Sequence, residues 1–167
     1  MFYLPLALAT WLSFDWVVDR RQLPHLLVHG LFGAVLATIQ DRLVLIYHLW
    51  EYADIGPVDS HAKIALLISL SAAPLFAMRF AQGLTPGDGF PWRRVAKFTL
   101  VSMLPEFLGL ITGHIRYHNW WNVGWSILAY LPIWAGIWGL YVWLAGPVFQ
   151  HAQLTSHGDY CIVSYEK

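Results

Sequence analysis

Eight side chains in this sequence could do polar chemistry together: Asp41, His48, Glu51, Glu106, His114, Arg116, Tyr117 and His118. Glu106 stands out, because it lies inside an apolar run between Lys97 and Gly113. An acidic or basic group near the middle of a membrane helix costs ~2.5 to 3.5 kcal/mol on insertion scales, so it must turn inward and find a partner or a proton. Asp41 interrupts an earlier apolar run in the same way. Glu106 or Asp41 could act as acid or base while His114, Arg116 and His118 orient a substrate. The candidate catalytic groups are therefore Glu106, Asp41, His114 and His118, with no reaction assigned. Arg116, Tyr117, His48 and Glu51 are the candidate ligand-binding groups, since a guanidinium suits phosphate or carboxylate oxygens in pairs. An internal hydrogen bond or ion pair that fixes packing is an equally open reading of Glu106.

His114 and His118 are four apart and would share one face of a helix. With Asp41, Glu51 or Glu106 they would form the two-imidazole, one-carboxylate set that zinc or iron accepts. No Glu stands inside this His-x-x-x-His, so it is not the metalloprotease motif. Histidines beside Tyr117, Trp120 and Trp121 serve equally as interfacial anchors. No metal and no cofactor are expected. His151, His157, Asp159 and Cys161 match no specific metal spacing, and the single Cys161 excludes an internal disulfide. Ser102 and Ser126 lie in apolar stretches without a nucleophile-elbow pattern. His29 reads best as a packing histidine inside its helix.

The elements that must position these groups follow from composition. Of 167 residues, 57% are hydrophobic and 12% charged, which falls outside ordinary soluble usage and predicts an all-α, polytopic transmembrane bundle. Five spans are expected, at about 2–18, 25–45, 62–78, 93–113 and 123–149. They would make one transmembrane domain over 1–149, followed by a short tail over 150–167. Gly30, Gly33, Ala34 and Ala37 leave a stripe against which a second helix can pack closely. Gly56-Pro57 and the Gly/Pro-rich stretch from Gly83 to Pro91 mark loops. If the stretch from Pro105 to Tyr117 continues as one helix, Glu106, Gly109, Gly113 and Tyr117 share a stripe, with space above the carboxyl group. Most tryptophans fall toward span ends, as an aromatic belt requires.

Charge sets the expected orientation. Arg20, Arg21, Arg79, Arg93, Arg94 and Lys97 lie in or beside two alternate loops, against chiefly Lys63 and Arg116 in the others. The Lys and Arg bias places the first group inside, the N-terminus outside and the C-terminus inside a bacterial cytoplasmic membrane. Membrane lipids are the expected partners, a homo-oligomer is left open, and the zero net charge with scattered basic residues argues against nucleic acid.

The Gln40-Asp41 helix end, the following Tyr47-His48-Leu49-Trp50-Glu51-Tyr52, the acid at Glu106 and Tyr117-His118-Asn119-Trp120-Trp121 before a tryptophan-rich last span carry a resemblance. The chain resembles an uncharacterised family of small multi-spanning membrane proteins of Bacillus, Clostridium and related spore-forming bacteria. That resemblance implies membrane localisation and several spans, with no activity to carry over. The expected function is then binding of a lipid headgroup or small ligand in a polar cluster at the outer face. The alternative is a membrane-embedded enzyme acting on a lipid or isoprenoid-type substrate. A proton or solute carrier is disfavoured, because no continuous polar path leads inward from that cluster.

Overall fold

Proline and glycine cut the apolar chain into helices, and the computed structural model describes residues 3–14, 18–52, 61–85, 87 and 89–162. Helix α1 covers Tyr3–Leu12, and a short 3-10 turn, Arg20–Gln22, leads into α2, Leu23–Tyr47. Pro24 lies in the first turn of α2, where its missing N–H removes no helix bond. Strand β1, Trp50–Tyr52, precedes α3, His61–Gln82, and α4 runs over Trp92–Ile111. Strand β2, Ile115–Tyr117, leads to α5, Val123–Ile162.

The small-residue stripe of α2 receives α3. A Cβ at Gly33 would lie 2.4 Å from the Ala77 Cβ, so the two helices meet there at a distance that only glycine permits. Around this seam Phe80, Phe98 and Trp134 form one aromatic group, with ring centroids 5.1–5.4 Å apart. Val18, Leu26, Leu75 and Met78 form a second apolar cluster, with Phe14 packed against it.

The ends of α2 and α4 are tied together by an element that helical periodicity does not announce. Helix α2 stops at Tyr47 because His48 takes a left-handed conformation, φ 47°. The Asn119 side-chain amide then donates to the His48 carbonyl at 3.0 Å and the Tyr47 carbonyl at 3.3 Å. Helix α4 ends at Ile111, and Gly113, at φ 75°, turns the chain back. The two following segments pair antiparallel, with Trp50 opposite Tyr117, Glu51 opposite Arg116 and Tyr52 opposite Ile115. The His118 N–H donates to the Leu49 carbonyl at 2.9 Å and extends this clasp. Gly109 makes room for it, since a Cβ there would come within 2.7 Å of the Ile115 side chain.

A five-span transmembrane bundle is not what forms. Among the described residues, two helices are long and apolar enough to cross a membrane, Leu23–Tyr47 and Val123–Ala145. The expected first span holds a helix of 10 residues, and at ~1.5 Å per residue that reaches only about half of a ~30 Å hydrocarbon core. The apolar part of α3 is the shorter stretch Leu66–Gln82. Helix α4 carries Arg93, Arg94, Lys97 and Glu106 within its 20 residues. The orientation with N-terminus outside and C-terminus inside, and the multi-pass place in a bacterial cytoplasmic membrane, rested on alternating five spans and fall with them. Large apolar side chains are divided between the interior and outer faces, where Leu31, Ile46, Leu100 and Trp143 are exposed. Gly56-Pro57, expected to mark a loop, lies outside the described residues. Helix α5 continues to Ile162, into the segment expected as a separate tail.

Candidate functional site

Glu106 faces inward from α4 and is 6% exposed. Two hydroxyls donate to its Oε1, Tyr117 from β2 and Ser126 from α5, each at 2.5 Å, while Tyr130 approaches Oε2 at 3.5 Å. Ser126 in turn accepts the Trp121 indole N–H at 2.8 Å. An indole nitrogen can only donate, so the Ser126 hydroxyl is turned to donate onward to the carboxyl group. Burial pushes the Glu106 carboxyl above its ordinary range, opposed by the bonds from Ser126, Tyr117 and Tyr130. Burial first, and then the bond to Glu106, hold the Tyr117 phenol above its ordinary range as well.

Asp41, on α2, has a poorer set of partners. Ser69 on α3 donates to its Oδ2 at 2.6 Å. Among the described residues no Lys, Arg or His pairs with it. Burial raises its carboxyl to about 6, with the Ser69 bond opposing and the charge of Glu106 adding to the rise.

Asp41 and Glu106 border the same cavity of about 120 Å³, lined by residues of α2, α3, α4, α5 and the clasp. Ser69, Trp50, Tyr130 and Trp134 share its lining, which is otherwise largely aliphatic and aromatic. Trp134 is 3% exposed, and its indole N–H has no partner among the described residues. Such a space, apolar with a few polar groups placed in its wall, has the form of a small-molecule site.

The clasp divides the outer-face cluster: Glu51 lies opposite Arg116 and against His118, whereas Tyr117 turns inward and the two histidines part. The chain from His114 to His118 is extended rather than helical, so the two histidines stand about 13 Å apart along it at ~3.3 Å per residue. His114 Nδ1 lies 2.9 Å from the Thr112 hydroxyl, and His118 Nε2 lies 3.1 Å from Glu51 Oε1. Arg116 points outward from β2, and His48 is exposed at the end of α2. Tyr117, in contrast, turns inward and reaches Glu106 although no helix continues between them. Among the described residues no group of three metal-ligating side chains assembles. A lipid headgroup or small ligand held by Arg116, Tyr117, His48 and Glu51 at an outer face, or a lipid-acting enzyme built there, is therefore not supported. Membrane lipids lose their place as the inferred partner, because Glu51 and Tyr117 are engaged within the protein.

Ser69, Ser126, Tyr130 and Trp134 were not singled out as site residues by the sequence. A signal is present for three of them: 126, 130 and 134 are spaced four apart on one face of α5, where Tyr130 and Trp134 line the cavity and Ser126 reaches Glu106. No comparable signal marks Ser69, which is a site residue only because the Gly33–Ala77 seam brings α3 against α2.

Comparison with protein-family models, curated proteins and solved structures returns no match. The resemblance to the spore-former membrane family is thereby withdrawn, and nothing about activity comes to this chain from a relative.

Proposed function

We propose that the protein binds a small, mostly apolar molecule in the cavity between α2, α3, α4 and α5, with Asp41 as its polar anchor. The observation that carries this reading is the coincidence of an apolar space with a carboxyl group left short of partners. Cores are close-packed, so a space of about 120 Å³ bordered mostly by apolar side chains is a departure from ordinary interior packing. An apolar cavity of ~150 Å³ takes up benzene, so this one suits a skeleton of similar or smaller size. Glu106 supports the site differently. Its donors fix it to β2 and α5, so it positions the clasp whose Trp50 and Tyr52 close one end of the space.

Benzene is the probe that tests occupancy. Adding it to the full chain is expected to shift the NMR signals of Ala37, Ile68 and Ile133, which line the cavity, and to raise the melting temperature in proportion to occupancy. Ala37→Leu, which fills the space, is expected to abolish both responses. Benzene that leaves these signals unmoved would overturn the binding reading.

A further inference from the structure

Two groups in the cavity wall are unsatisfied in complementary ways. Asp41 accepts one hydrogen bond, from Ser69, whereas Glu106 takes hydroxyl donors on both oxygens. A carboxylate has room for several donors, and one in an apolar wall is unfavourable until a cation or further donor meets it. Trp134 has the opposite need. Its buried indole N–H lacks an acceptor, and an indole nitrogen can only donate. Trp50 and Tyr130 add aromatic rings to the same lining, and ring faces attract organic cations.

Building on the binding reading above, we infer that the ligand is a small primary or secondary amine in its ammonium form, with a hydrogen-bond acceptor on the same skeleton. The ammonium N–H donates to Asp41, and the acceptor receives the Trp134 indole N–H. The volume of about 120 Å³ confines both functions to one small ring or short chain. Glu106 is excluded as the cation's partner because three hydroxyls already surround it.

Four six-membered rings of nearly equal size separate these elements: morpholine, piperidine, tetrahydropyran and cyclohexane. Their affinities for the full chain are measured by NMR titration at about pH 7.5. Morpholine and piperidine are expected to bind at least tenfold tighter than tetrahydropyran and cyclohexane, and Asp41→Asn is expected to erase that advantage. In the unsubstituted protein the piperidine affinity falls about tenfold on going to about pH 5, as Asp41, raised to about 6, takes up its proton. Morpholine exceeds piperidine by about fivefold, the worth of one hydrogen bond of about 1 kcal/mol, and Trp134→Phe removes this difference. Piperidine binding no tighter than a bound cyclohexane would overturn the amine inference and the anchoring by Asp41, and leave standing the cavity as a site for a small apolar molecule. Morpholine binding no tighter than piperidine would overturn the acceptor. Failure of all four rings to bind would overturn the amine inference, and failure of benzene as well would overturn both readings.

Discussion

Asp41 is held in the cavity wall against its own solvation. An ordinary aspartate titrates near 3.8, and burial lifts this one to about 6. Because the folded value lies above the unfolded one, the folded chain holds more protons than the unfolded chain between about pH 4 and 6. Asp41 therefore lowers stability above pH 6, and the penalty fades as pH falls toward 4. Asp41→Asn keeps the shape and removes the charge, so it is expected to stabilise the free protein by about 1–2 kcal/mol at about pH 8. Urea unfolding at that pH and at about pH 4 checks this, since the two proteins should converge at the lower pH. His29 acts in the opposite sense. It is fully buried, and burial holds its imidazole below 6.5, so stability is lost as pH falls through that value. The Asn variant isolates this second limb.

At the scale of elements, the ends of α2 and α3 are closed by side chains from elsewhere, Asn119 and Arg94. Arg94, in the first turns of α4, donates from Nε to the Phe80 carbonyl at 2.8 Å and from Nη2 to the Arg79 carbonyl at 2.7 Å. These carbonyls belong to the last turn of α3, where backbone acceptors lack helical partners. The guanidinium also lies 5.3 Å from the Phe98 ring centroid, beside the aromatic group that contains Trp134. Arg94→Met keeps much of the apolar stem and loses both bonds, so a destabilisation of about 1.5–3 kcal/mol is expected. Hydrogen exchange should accelerate first at residues 79–84, and a variant as stable as the parent would show that this cap carries no weight. The helices themselves were legible, because Pro24 and the Gly/Pro-rich stretch after Gly83 punctuate the apolar runs. The clasp was not. Its strands are three residues each and about 65 positions apart, and Ile115–Tyr117 continues the apolar pattern of α4 closely enough to pass for helix. Only Gly113, at positive φ, marks the break.

For the whole molecule, composition was the stronger but less faithful guide. A chain that is 57% hydrophobic predicts apolar runs, yet a run is not a span: α1 is too short, and α4 carries four charged residues. The same ambiguity touched the site. Glu106 and Asp41 were legible because charge in apolar sequence needs a partner. Which partners they found depended on tertiary contacts, Ser69 across the α2–α3 seam and Tyr117 across the clasp, that no local spacing encodes. What unites these scales is a cavity where four helices and the clasp meet, with one carboxyl satisfied and the other awaiting a cation. The most direct measurement is the NMR pH titration of the Asp41 side-chain carboxyl carbon, without ligand and with saturating piperidine. A midpoint of about 6 in the free protein, moved down by at least about one unit in the bound protein, is the predicted result. A midpoint near 3.8 that piperidine leaves in place would contradict it.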